Sequence, residues 1–74
     1  MTNEAAPLRV DARGMRCPWP ALRLARAMRD AEAVLLIADD PNAAREVAAL
    51  AAEQGWTIAD EGTGEGEGRW RVRR

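Results

Sequence analysis

Histidine, lysine, phenylalanine and tyrosine are absent from this 74-residue chain, and cysteine occurs once. A single cysteine closes no internal disulfide, and with no histidine beside it a zinc site of the usual kind cannot be assembled. Small domains often depend on such staples; here apolar packing and backbone hydrogen bonds must hold the fold. The missing His and Tyr also remove the commonest general base and a common general acid. Charge of one sign is lacking too: eleven arginines face twelve acidic residues, for a net charge of -1. That balance gives little bulk attraction to nucleic acid, and no direct nucleic-acid partner is expected. The longest apolar run, Ala33 to Ala38, is too short to span a bilayer. Residues 1–7 read as a flexible leader, with neither the basic start nor the apolar stretch of a signal peptide. A free thiol without export signals fits a reducing cytoplasm.

What is present is enough for one domain over 8–74. Leu8-Arg9-Val10-Asp11 alternates apolar and charged residues and reads as a strand. A loop with Gly14 as its turn residue follows. From Pro18 the period becomes helical, with Ala21, Leu22, Leu24, Ala25 and Met28 as the apolar stripe. Val34 to Ile37 is a continuous apolar run that suits a buried central strand. Asp40 as N-cap and Pro41 at the first helical position then open a second helix. Its apolar face is Ala44, Val47, Ala48 and Ala51, and Gly55 ends it. Trp56 to Asp60 reads as a third strand and Arg69 to Arg73 as a fourth, with Trp70 and Val72 facing inward. Glu61 to Gly68 is expected to be a flexible acidic loop between them. The order is β-α-β-α-β-β, and so short a chain favours a two-layer α/β sandwich with both helices on one face of the sheet.

The chemistry concentrates in Gly14-Met15-Arg16-Cys17-Pro18-Trp19-Pro20. This spacing predicts Cys17 at the N-cap, Pro18 at the first helical position and Pro20 at the third, where proline's missing N–H costs nothing. The free amides and positive dipole end of that turn are expected to favour a thiolate, with Arg13 and Arg16 adding to the effect. The two prolines stiffen the chain around the sulfur. A lone cysteine also serves as core filler in small domains, but prolines and a glycine-bearing loop mark a helix entrance.

Asp11-Ala12-Arg13-Gly14-Met15-Arg16-Cys17-Pro18-Trp19-Pro20 resembles the signature of the TusA (SirA-like) sulfur carriers, and Ala38-Asp39-Asp40-Pro41 followed by Arg45 is similar to their second recognisable segment. The resemblance runs from Leu8 to Val72. It implies a four-stranded mixed sheet with two helices, and a sulfurtransferase that needs no metal or cofactor. Cys17 would accept sulfane sulfur as a persulfide from a cysteine desulfurase or a rhodanese and pass it to an acceptor protein. Arg16, Pro18 and Pro20 would shape the site or support its anion, and Arg13, Trp19, Asp40 and Arg45 are candidates for partner binding. A monomer is expected. The destination of the sulfur would be the tRNA 2-thiolation relay or another sulfur-trafficking route. Trp19 stands where the tRNA-relay type carries an acidic residue, and Ala31-Glu32 replaces a usual Gly-Glu turn; both departures weigh against the tRNA branch. The alternative reading is a non-catalytic interaction or regulatory module that works through the Trp19 surface.

Overall fold

The six expected elements occur in the expected order. The computed structural model describes residues 6–64 and 66–74, so most of the leader expected over 1–7 and Glu65 lie outside the described residues. β1 spans Leu8–Asp11, α1 Trp19–Asp30, β2 Ala33–Ala38, α2 Ala43–Gln54, β3 Thr57–Gly64 and β4 Glu67–Arg73. The strands form one mixed sheet in the order β1-β2-β4-β3. β1 and β2 are parallel, whereas β4 is antiparallel to both its neighbours. β3 therefore runs parallel to β2, with β4 inserted between them. Both helices contribute to a single core against one face of this sheet.

Alternation explains which strand residues enter that core. Val10, Val34, Leu36, Trp70 and Val72 point to the helices, and all are buried. Leu24 and Met28 from α1, with Val47 from α2, meet them there. Each fully buried side chain of this kind stabilises the fold by roughly 1.5–3 kcal/mol, whereas an exposed ion pair contributes about 0–1 kcal/mol. Packing, not surface charge, holds the chain together.

Several sequence expectations need correction. On α1 the buried positions are Pro20, Leu24 and Met28, with Leu22 left half exposed. A period of four from Pro20 turns the stripe away from Leu22. On α2 the buried face is Ala43, Val47 and Ala51, and Ala44 and Ala48 lie in solvent. In an alanine-rich helix the apolar pattern is too uniform to fix the facing; the larger Val47 fixes it. The segment expected to be a loop from Glu61 to Gly68 is mostly strand: β3 and β4 pair as far as Gly64 and Glu67, across a register shift between Asp60 and Thr63. Gly55 ends α2 as expected, in a left-handed conformation with its N–H directed at the carbonyls of Ala51 and Ala52. The last residue closes the other helix: the Arg74 guanidinium donates to the carbonyl oxygens of Met28 and Arg29 at the α1 C-terminus, where a cation is favoured.

Ile37 is fully buried although it sits on the sheet face away from the helices. Its register neighbours are Asp11 and Arg69. A chain of ion pairs crosses that row, Asp11 to Arg13 at 2.7 Å, Arg13 to Glu67 at 3.6 Å and Glu67 to Arg69 at 3.5 Å. The long arginine stems can cover an apolar side chain while their heads stay wet.

Gly68 is required by a close approach. A Cβ placed there would lie 2.6 and 2.7 Å from two carbons of the Trp70 ring. Trp70 is only 7% exposed, so the ring has little room to move aside. Gly68→Ala is expected to destabilise the protein by about 1–3 kcal/mol, the usual cost of overpacking. Urea denaturation followed by tryptophan fluorescence measures this.

Candidate functional site

Two loops leave the sheet side by side because β1 and β2 are parallel and their carboxyl ends lie together. The amide of Ala12 extends that pairing by donating to the carbonyl of Ile37 at 2.7 Å. From there the first loop turns at Gly14, whose φ of +86° is a conformation that disfavours any side chain. The second loop supplies the partners. The Gly14 amide donates to Asp39 Oδ1 at 2.9 Å, and the Cys17 amide donates to Asp40 Oδ2 at 2.6 Å. The other oxygen of Asp40 accepts from the Asn42 amide at 2.8 Å. One carboxylate thus ties the Cys17 loop to the turn that starts α2.

Cys17, half-buried, faces α2 across this junction. Its Sγ donates to Glu46 Oε2 at 2.7 Å. That hydrogen bond raises the pKa of the thiol above its ordinary value. Desolvation and the negative charges of Glu46 and Asp40 act in the same direction, and Arg45 opposes them. These influences favour the protonated thiol over the thiolate. The expected thiolate favoured by a helix N-terminus is not what the geometry gives. α1 starts later than its prolines suggest: Pro18 is the N-cap, Trp19 is the first helical residue and Pro20 the second, so Cys17 precedes the cap. The peptide bond between Cys17 and Pro18 is cis. Asp40 is likewise not the cap of α2. That position belongs to Asn42, and Asp40 instead closes the preceding turn, its carbonyl accepting from the Ala43 amide.

Arg16, Cys17 and Asp40 line one open depression together with Gly14 and Asp39. Arg45 is not among the lining residues but donates at 2.9 Å to Oδ1 of Asn42, which is one of them. Pro20 is buried in the core and anchors α1, while Pro18 is exposed. Trp19 is 58% exposed and Leu22, one turn later on the same helix, is 50% exposed. Arg13 is engaged elsewhere, with Asp11 and Glu67. Sequence reasoning missed Glu46 and the part played by Asp39. An acidic residue in the first turn of a helix is ordinary, and nothing local marks Glu46 as the partner of a cysteine 29 residues away. No groups of acidic and cysteine residues suited to a metal ion occur among the described residues, and no helix there is long and apolar enough to cross a membrane.

A family model described as Sulfurtransferase TusA matches residues 8–74. The chain belongs to the TusA sulfurtransferase family. Its fold is similar to the crystal structure of a SirA-like protein from Desulfitobacterium hafniense, with a TM-score of 0.81 over 89% of this chain and 95% of that one. Sequence identity between the two is 18%, so the likeness speaks for the fold. In this TusA family chain the Cys17 loop is held by carboxylates, which makes the site sensitive to acid. The backbone N–H groups of Asn42 and Cys17 lower the Asp40 pKa below the usual aspartate value. Its contribution to stability is therefore complete above the ordinary aspartate pKa and is lost as pH falls through the lowered folded value. Asp40→Asn is expected to lower the urea midpoint at neutral pH, and the gap from the wild type should close as the titration moves into acid.

Proposed function

We propose that this protein is a persulfide carrier: Cys17 accepts sulfane sulfur from a donor protein and delivers it to an acceptor protein. The observation that carries the reading is the position of the only cysteine, half-buried at the mouth of an open depression and held there by the Asp40 hydrogen bond. Membership of a sulfurtransferase family supports the same chemistry. Loading proceeds by thiol–disulfide logic. The Cys17 sulfur attacks the outer sulfur of the donor's persulfide; a new S–S bond forms at Cys17 and the donor's S–S bond breaks. The donor cysteine leaves as thiolate and takes up the proton that Cys17 gave up, so there is no net oxidation. Delivery repeats the exchange, with the acceptor's thiolate attacking the outer sulfur and Cys17 leaving.

Residues in and around the depression have parts in this proposal. Arg16 and Arg45 offer positive charge to the persulfide anion. Pro18 and Pro20 shape the turn around the sulfur. Trp19 and Leu22, both exposed in the first turns of α1, are suited to anchor a donor or acceptor. The donor is proposed to be a cysteine desulfurase or a rhodanese, and the acceptor a protein of a sulfur-trafficking route, of which tRNA 2-thiolation is one. The carrier is proposed to act in the cytoplasm as a monomer built of one domain over 8–74.

The exposure of Trp19 also favours a second reading, a module that binds a partner without transferring sulfur. The two separate cleanly. Under the carrier reading Cys17→Ala retains the wild-type circular dichroism spectrum and melting behaviour but takes up no radioactive sulfur from a desulfurase charged with labelled cysteine. Under the interaction reading Cys17→Ala leaves partner binding and cellular phenotype intact, and Trp19→Ala abolishes both. Labelling of Cys17→Ala equal to wild type would sink the carrier proposal.

A further inference from the structure

Cys17 Sγ and Glu46 Oε2 lie 2.7 Å apart. Such a contact is attractive only while a proton sits between the two atoms. From this we propose that Glu46 reads the loading state of Cys17: it holds the unloaded thiol in place and drives the persulfide anion outward. The proposal rests on the carrier reading and adds to it the device that distinguishes the empty carrier from the full one.

The physical basis is a change in the sign of one interaction. In the empty protein the thiol donates its proton to the Glu46 carboxylate, a charge-assisted hydrogen bond of the stronger class. The sulfur is docked against α2, and as a thiol it is a poor nucleophile. Stray oxidants and electrophiles meet an inert group. Once Cys17 carries an outer sulfur, its Sγ no longer bears a proton. A persulfide is more acidic than a thiol, so the added sulfur is negatively charged at neutral pH. The lone pairs of Sγ and the new charge then face Glu46, and Asp40 adds repulsion from the second loop. Nothing remains to hold the 2.7 Å contact. The positive groups nearby are Arg45, whose charge acts on Cys17, and Arg16, which lines the depression. The outer sulfur moves away from α2 toward solvent, where an acceptor thiolate can reach it.

The proposal turns on the negative charge of Glu46, and this sets the test. The folded protein is titrated by following the rate of iodoacetamide alkylation of Cys17 against pH in wild type, Glu46→Gln and Glu46→Asp. Gln keeps the size and an acceptor oxygen but removes the charge, so its titration midpoint is expected below that of wild type. Alkylation at neutral pH should be several-fold faster, since the gain in thiolate fraction outweighs the loss of intrinsic nucleophilicity. Asp keeps the charge and should hold the midpoint near wild type. In the loaded protein the order reverses, and the outer sulfur of Glu46→Gln should react more slowly with the same reagent than that of wild type.

Identical midpoints in all three proteins would overturn the proposal. So would an equal shift in Glu46→Gln and Glu46→Asp, because contact geometry and not charge would then be responsible. The titration of the empty thiol requires no sulfur donor. Failure of all three proteins to accept sulfur would therefore overturn the carrier reading on separate grounds.

Discussion

Two neighbouring carboxylates, Asp39 and Asp40, hold the Cys17 end of this molecule together. The loop that carries Cys17 has no regular structure, and its backbone donors need acceptors. Asp39 takes the Gly14 amide and Asp40 takes the Cys17 amide. Both acceptors come from the loop after the adjacent parallel strand, so the pairing of β1 with β2 determines whether the two loops can meet. Asp40 also fixes the turn into α2 through Asn42. The first turns of both helices are thereby set relative to one sulfur atom, and the contact between Cys17 and Glu46 follows from that placement.

The electrostatic character of the site is a consequence. A cysteine at a true helix N-cap would be surrounded by free amides and pushed toward thiolate. Here the Cys17 amide is already committed to a carboxylate, the cap lies one residue further on, and a second carboxylate accepts a hydrogen bond from the thiol. The environment therefore favours the resting thiol, and under the proposed carrier role nucleophilic strength has to come from the encounter with a partner. Such an arrangement suits a protein whose sulfur is to react with selected proteins and not with the solvent at large.

Most of the architecture was legible in the sequence. The alternation of Leu8 to Asp11, the apolar run around Val34 to Ile37 and the inward pair Trp70 and Val72 all specify strands where strands occur. Errors fell where local pattern is weak. The alanine-rich α2 offers little contrast between its faces, and the glycine-rich run from Gly62 to Gly68 looks like loop although long antiparallel pairing carries strand structure through most of it. At the site, prolines, glycine and aspartates clustered in sequence single out Cys17 as a candidate, whereas Asp40 reads as a helix cap, a position that the structure gives to Asn42. The mutual arrangement was not legible. Helix starts shifted by one or two residues because turn hydrogen bonds displaced the caps, and Glu46 became a partner of Cys17 only through tertiary contact.

Family membership makes sulfur transfer the chemistry to test, and Cys17 Sγ is the atom proposed to carry the sulfur. Intact mass spectrometry of the purified protein, after incubation with a cysteine desulfurase and cysteine, addresses that claim most directly. The account predicts a gain of one sulfur atom that fragmentation places on Cys17 and that a reductant removes. An unchanged mass with this donor, and again with thiosulfate and a rhodanese, would contradict it.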